Sequence, residues 1–154
     1  MKSEAIVELG KPLQTIESET PEPKGKEVLL KITHSGVCHS DVHIHDGYFD
    51  LGGGNKLPVG QMLNLPHTMG HEIEGEVAAI GPDVTDVEIG ANVVAYPWIG
   101  CGECATCKAG DEHYCNAPRQ LGIQLPGGFA DYCIVPDSKY CLLYTSDAAD
   151  DEER

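Results

Sequence analysis

At residues 100–115 the sequence reads GCGECATCKAGDEHYC, a short stretch that contains four cysteines. Their spacing, Cys-x2-Cys-x2-Cys-x7-Cys, lets one loop bring four sulfur atoms around a tetrahedral ion. A site closed by four thiolates has no open coordination position, so the ion would order the loop instead of reacting with a substrate. The pattern predicts a structural zinc site whose ligands are Cys101, Cys104, Cys107 and Cys115.

The spacing of the four cysteines is also compatible with three roles besides structural zinc binding. An iron–sulfur cluster uses four thiolates as well. A redox dithiol would use one Cys-x2-Cys pair and leave the remaining two cysteines without a role. The cysteines could also be unrelated thiols in a reducing compartment.

Length and charge restrict the possible function classes. The chain has 154 residues, with 25 Asp and Glu against 10 Lys and Arg, which gives a formal net charge of −15. Phosphate binding needs clustered Lys and Arg, which this sequence lacks, so we expect no nucleic-acid partner and no membrane partner. No apolar run approaches the ~20 residues of a membrane span. The first residues do not resemble a signal peptide, so a cytoplasmic location with reduced cysteines is the expectation.

The residue pattern predicts a mainly β domain. The content of 18 Gly and 10 Pro favours short strands and turns over long helices. Alternating apolar residues predict strands at residues 5–9, 27–34, 71–80, 92–97 and 130–135. A short helix is predicted to run to Asp46 with Ser40 or Asp41 as its cap, and residues 47–66 are predicted to form a long loop. Several short strands with turns between them favour a small, partly open barrel.

A second metal site is suggested by Cys38 and His71, each at the end of a predicted strand. Taken alone, each residue is a weak signal, since a lone cysteine is often a small buried apolar residue. A catalytic zinc, however, has three protein ligands and an open position, and Cys and His are among its usual ligands. Several side chains near Cys38 can also bind or release protons: His39, Ser40, Asp41 and His43.

Four motifs, taken in order, resemble the zinc-containing medium-chain alcohol dehydrogenases. They are GVCHSDVH at 36–43, GHEIEGEV at 70–77, GCGECATC at 100–107 and GGFADY at 127–132. The resemblance implies a GroES-like catalytic domain over residues 1–140. It also implies that Cys38 and His71 bind a catalytic zinc, whose third ligand in the family comes from beyond residue 140. That zinc would act as a Lewis acid on an alcohol oxygen.

The same resemblance gives roles to the residues around the two ligands. Ser40 would take the hydroxyl proton and pass it through the cofactor ribose to His43, although Ser40 is also a candidate helix cap and His43 a candidate surface residue. His39 occupies the place from which a basic side chain reaches the cofactor pyrophosphate.

Two acidic residues would support the catalytic zinc in the same scheme. Asp41 would hold the far nitrogen of His71, which fixes a ligand imidazole. Glu72 would sit behind the metal. Away from the site, Trp98 is a candidate for the pocket wall or for the core, and Cys133 is expected in the core. His67 is expected at the surface or near the ligands.

The last residues differ in character from the rest of the chain. Residues 141–154, CLLYTSDAADDEER, begin with a stretch that resembles the translation of a sequencing adaptor. The expectation is a non-native tail after a domain at residues 1–140 that is a fragment of a longer enzyme, and a genuine acidic tail is the alternative. The sequence contains no Gly-x-Gly-x-x-Gly motif, so a Rossmann cofactor domain is expected to be absent and the chain alone is expected to be inactive.

The preferred function is therefore a fragment of a zinc-dependent alcohol dehydrogenase. The intact enzyme would bind two zinc ions per subunit, use NAD or NADP, act on a small alcohol or aldehyde, and form a homo-oligomer. A polyol or threonine dehydrogenase of the same family is one alternative. A zinc-stabilised interaction module without catalysis is a second alternative, but it leaves Cys38, Ser40 and His71 unexplained.

Overall fold

The computed structural model describes residues 1–143, which form twelve strands, two α-helices and three short 3₁₀ helices. The strands are β1 (Lys2–Ile6), β2 (Gln14–Glu17), β3 (Val28–Gly36), β4 (Tyr48–Gly52), β5 (Asn55–Pro58), β6 (His67–Thr68), β7 (Glu72–Ile80), β8 (Asn92–Ala95), β9 (Trp98–Ile99), β10 (Arg119–Gln120), β11 (Tyr132–Val135) and β12 (Cys141–Leu143). The helices are α1 (His39–Asp46) and α2 (Ala105–Lys108), and the 3₁₀ helices are Gly60–Met62, Glu112–Tyr114 and Ser138–Tyr140.

The main sheet has five antiparallel strands in the order β11-β3-β7-β8-β12. Strand β3 buries Val28 and Leu30 on one face, as its alternating sequence predicts, and both belong to the main core cluster. Among the described residues the edge strands β11 and β12 are not paired with each other, so the barrel is open. The predicted mainly β, partly open barrel is confirmed.

A second, smaller core attaches helix α1 to the sheet β2-β1-β6. It consists of Ile6, Ile44, Leu63 and Met69. Ile44 is the apolar side chain that α1 buries, and it is fully buried. This contact fixes the helix whose first residues carry much of the predicted site. Strand β1 itself lies three residues earlier than predicted, because residues 2–5 pair with β2 and the strand ends at Ile6, before the exposed Val7.

Helix α1 begins differently from the prediction. Its cap is Cys38, whose Sγ accepts a hydrogen bond from the Ser40 backbone N–H (3.2 Å). The Asp41 carboxylate accepts in return from the Cys38 N–H (3.0 Å), which completes a capping box. The prediction of Ser40 or Asp41 as cap was wrong, because a cysteine sulfur takes the acceptor role that the sequence rules give to oxygen.

The stretch predicted as one long loop, residues 47–66, contains the hairpin β4–β5 and a 3₁₀ helix. Its turn is made by Gly52, Gly53 and Gly54, which all have positive φ angles (81°, 61° and 83°). Glycine adopts this left-handed conformation without steric cost, so the glycine run marks a tight turn between strands. The prediction of irregular structure here was wrong.

Part of the predicted tail takes part in the sheet. Strand β12 pairs with β8, with Cys141 opposite Ala95, and Cys141 is buried. Residues 144–154 lie outside the described residues, and a non-native tail at residues 141–154 stays a prediction. No helix within residues 1–143 is long and apolar enough to cross a membrane.

Candidate functional site

The four clustered cysteines come together in the loop between β9 and β10. All four sulfur atoms lie within 4.8 Å of one another, as the spacing predicts. Backbone N–H groups point at these sulfurs: Cys104 N–H donates to Cys101 Sγ, and Cys107 N–H donates to Cys104 Sγ, each at 3.4 Å. The loop therefore forms a small cage of sulfur atoms.

The electrostatics of this cage suit a cation. Hydrogen bonds from the backbone of Cys104 and Glu103 lower the pKa of Cys101 to about 6, which favours its thiolate. Burial raises the pKa of Cys107 to about 12, so this thiol keeps its proton unless a positive charge replaces it. Four free thiols at this separation fit a divalent metal with soft ligands, since the metal removes the repulsion between thiolates.

A second cluster joins Cys38, Asp41 and His71, whose ligand atoms also lie within 4.8 Å of one another. The register of β3 and β7 explains this meeting: Gly36 pairs with Glu72, so the residues just beyond these strand ends lie side by side. Cys38 Sγ and His71 Nε2 are 3.2 Å apart.

The buried Asp41 carboxylate holds this second cluster together. It is only 3% exposed and accepts hydrogen bonds from the backbone N–H of Cys38 (3.0 Å) and of Gly70 (3.3 Å). His71 Nδ1 lies 3.4 Å from Asp41 Oδ1, and it is a buried atom without a hydrogen-bond partner. The imidazole thus points one nitrogen at a sulfur and the other at a carboxylate, which is the arrangement of a metal-binding histidine. The thiol and imidazole donors fit zinc.

A cavity of about 400 Å³ opens beside this cluster. Ser40 and His71 lie at its wall, together with the amides of Gln120 and Gln124. The rest of the wall is largely apolar and includes Ile44, Phe49, Val59, Trp98, Leu121 and Ile123. Such a pocket, with a few polar groups in one place, is typical of a site for a small organic molecule.

The sequence of this domain matches a known protein family. A family model described as the alcohol dehydrogenase GroES-like domain matches residues 24–145. The chain belongs to this family. The resemblance seen in the sequence is therefore confirmed.

Named relatives of this alcohol dehydrogenase domain are dehydrogenases. An NAD-dependent alcohol dehydrogenase of Saccharolobus solfataricus is 45% identical over 141 residues, which are 91% of this chain and 40% of the relative. An L-threonine 3-dehydrogenase of Pectobacterium carotovorum is 36% identical over 79% of this chain and 33% of the relative. The chain thus spans about 40% or less of the length of these curated relatives.

A solved structure supports the same assignment. The cobalt- and zinc-bound thermostable alcohol dehydrogenase of Pyrobaculum aerophilum superimposes with a TM-score of 0.78 at 31% identity. The match covers 96% of this chain and 42% of that one. The GroES-like fold of the domain is therefore confirmed.

The structure of this alcohol dehydrogenase domain separates the remaining predicted site residues into two places. His39 and His43 stack on each other on α1 (ring centroids 4.5 Å apart), and His43 also contacts Phe49 of the cavity wall (4.8 Å). Glu72 is exposed and lies with His71 on a different groove, away from the cavity described above.

Several residues outside the sequence motifs differ from the prediction or were not predicted. The apolar wall was not predicted, apart from Trp98, because its members come from distant segments and apolar side chains carry no chemical signature. His67 was expected at the surface or near the ligands, but it is buried and its Nε2–H donates to the Gly122 carbonyl (2.9 Å). Burial lowers its pKa. Cys133 is buried in the core, as expected.

Proposed function

We propose that this domain carries two ligands of the catalytic zinc and part of the substrate pocket of a zinc-dependent alcohol dehydrogenase. The intact enzyme would transfer hydride from a primary or secondary alcohol to NAD or NADP. The observation that carries the proposal is the 3.2 Å approach of Cys38 Sγ to His71 Nε2 at a wall of the cavity. When bound there, zinc supplies Lewis-acid chemistry that lowers the pKa of an alcohol hydroxyl.

Cys38 and His71 would hold this zinc, and Asp41 would orient both. The Asp41 carboxylate fixes the backbone at Cys38 and immediately before His71 through the N–H groups of Cys38 and Gly70. Its Oδ1 faces His71 Nδ1, so it favours the tautomer in which Nδ1 carries the proton and Nε2 is free to bind metal.

Ser40 and His43 would handle the proton released from the alcohol. Ser40 lines the cavity together with His71, so its hydroxyl is placed to accept a proton from a bound alcohol. His43 lies one helical turn further along α1 and is partly exposed, so its imidazole can contact water. The exposed His39, stacked on His43, would contact the phosphates of the cofactor.

The second zinc would be structural and held by the cysteine cage. Glu72 would lie behind the catalytic zinc, on the groove side of His71. This scheme gives two zinc ions per subunit of the intact enzyme, one with four thiolate ligands and one with Cys38, His71 and a ligand from beyond residue 140. The 154-residue chain alone is expected to bind zinc without oxidising an alcohol.

The cavity favours an alcohol with a hydrocarbon group over a polyol or an amino acid. Among the described residues that line it, none is Asp, Glu, Lys or Arg, so the charged groups of threonine would have no partner there. Gln124 Oε1 is already occupied by the Gln120 N–H (2.8 Å). A threonine dehydrogenase is the second candidate, because relatives with that name are 34–36% identical to this chain.

The proposal is tested by cobalt binding to the chain whose cysteine cage has first been filled with zinc. We expect a second, weaker site with a thiolate-to-cobalt absorption band, which disappears in Cys38→Ser and in His71→Ala. His34→Ala is the matched control, since its side chain is 79% exposed and lies near the same groove. Failure of the wild-type chain to bind cobalt beyond the cage would contradict the proposal.

A further inference from the structure

The cysteine loop is tied to the core by a hydrogen-bonded bridge that neither the motifs nor the family assignment identifies. Tyr140 Oη donates to the Glu112 carboxylate (2.5 Å), and Lys139 Nζ donates to the other oxygen of the same carboxylate. Tyr140 Oη in turn accepts from the Gly100 N–H (3.2 Å). One hydroxyl therefore contacts Gly100, just before the first cysteine, and Glu112, three residues before the last.

The position of Tyr140 is set by the sheet and not by the loop. Its side chain is 6% exposed within the main core cluster. Its carbonyl accepts from the Tyr96 N–H (2.8 Å), and the next residue opens strand β12, which pairs with β8. The hydroxyl is thus a fixed point against which the loop is held.

The residues of this bridge pack directly against the sulfur cage. A Cβ added to Gly100 would lie 2.9 Å from Cys107 Sγ and 2.9 Å from Glu112 Cβ. Gly100, Glu112 and Cys107 therefore lie in one crowded volume, so the bridge and the sulfur cage are in contact. Gly100 also follows directly on β9, whose Trp98 lines the cavity.

We propose that Tyr140 and Glu112 are positioning residues for the metal of the cysteine loop. They form a latch that brings the first and last cysteines into ligand geometry before the ion binds. A short loop with little core of its own requires ordering energy, and a bond made only in the ordered loop adds to the affinity for the metal. The latch rests on the proposed function only in requiring that the four cysteines bind zinc.

The test measures the zinc affinity of the full chain by competition with a chromophoric chelator. The affinity is determined for the first equivalent of zinc that the chain binds. We expect Tyr140→Phe and Glu112→Ala each to weaken binding about tenfold or more, because hydrogen bonds to a charged acceptor are among the stronger ones. The double variant is expected to bind no more weakly than either single variant, since the two groups act as one unit. Glu112→Gln, which keeps an acceptor oxygen for the Tyr140 hydroxyl, is expected to restore part of the affinity.

Tyr114→Phe is the matched control, since Tyr114 belongs to the same loop and is 70% exposed. It removes a hydroxyl without touching the latch, and we expect zinc affinity within about twofold of the wild type. Urea unfolding of the metal-free variants separates positioning from stability. If Tyr140→Phe and Glu112→Ala lower metal-free stability but leave zinc affinity unchanged, the latch is refuted while the zinc site stands. A wild-type chain that binds no zinc refutes the metal role of the cysteines, and the latch with it.

Discussion

Replacement of Asp41 by Asn is the change that most sharply separates metal binding at the Cys38–His71 cluster from simple packing. Asn keeps the size of the side chain and one carbonyl oxygen, but it loses the negative charge and one acceptor. In the structure the two Asp41 oxygens accept from the Cys38 and Gly70 N–H groups, and Oδ1 also faces His71 Nδ1. An amide cannot serve all three groups.

The size of the effect follows from these contacts. A hydrogen bond to a charged group contributes about 1.5–3 kcal/mol, so loss of one such bond at a site only 3% exposed is expected to lower the unfolding free energy by about 2 kcal/mol. Loss of the carboxylate that supports a ligand histidine typically weakens metal binding by ~10–100-fold. We expect both effects in Asp41→Asn.

The assay is cobalt titration of the zinc-filled chain, with urea unfolding on the same samples. Asp46→Asn is the matched control, because Asp46 ends the same helix, is exposed and contacts His45 instead of a predicted ligand. It is expected to leave the cobalt affinity unchanged. A cobalt affinity of Asp41→Asn equal to that of the wild type would refute the role of Asp41 in orienting His71 for a metal.

Three further predictions concern the core, a buried histidine and the cysteine loop. Leu30→Ala is expected to lower the unfolding free energy by about 2–5 kcal/mol because Leu30 is fully buried, whereas Val37→Ala, at a side chain 74% exposed, is expected to change it by about 0.5 kcal/mol or less in urea unfolding. Burial lowers the pKa of His67, so below the ordinary histidine pKa of about 6.5 the unfolded state binds more protons than the folded state. The contribution of neutral His67 to stability is therefore complete above that pH and is lost on acidification. We expect His67→Gln to flatten the dependence of the unfolding free energy on pH between about pH 7 and about pH 5, measured by urea unfolding. Removal of zinc by a chelator is expected to shift the fluorescence emission of Trp98, the single tryptophan of the chain. The reason is that Trp98 pairs with Gln120 across the two strands between which the cysteine loop runs. Unchanged emission after zinc loss would contradict this prediction.

The features that were predicted from the sequence are those coded by neighbouring residues. The cysteine cage depends on spacing within one loop, and its four sulfurs do come together. Strands β3 and β7 follow from alternation, and β3 is confirmed by buried Val28 and Leu30. The meeting of Cys38 with His71 needed the family resemblance, because spacing alone does not show that the two strands pair in the register that brings their ends together.

The features that were missed depend on contacts between distant segments. Glu112 and Tyr140 are 28 positions apart, and neither belongs to a recognisable motif. The hairpin β4–β5 was missed because three successive glycines resemble a flexible loop until their positive φ angles are seen to make a turn. The cap of α1 was misassigned because the Cys38 sulfur accepts the bond expected of a hydroxyl or carboxylate.

The most direct test of the two-zinc assignment is anomalous diffraction at the zinc edge from crystals of the zinc-saturated chain. We expect two peaks: one among the four sulfurs of the cysteine loop, and one within bonding distance, ~2.0–2.3 Å, of both Cys38 Sγ and His71 Nε2. A single peak in the loop, with no density between Cys38 and His71 at saturating zinc, would contradict the assignment of a catalytic zinc to this domain.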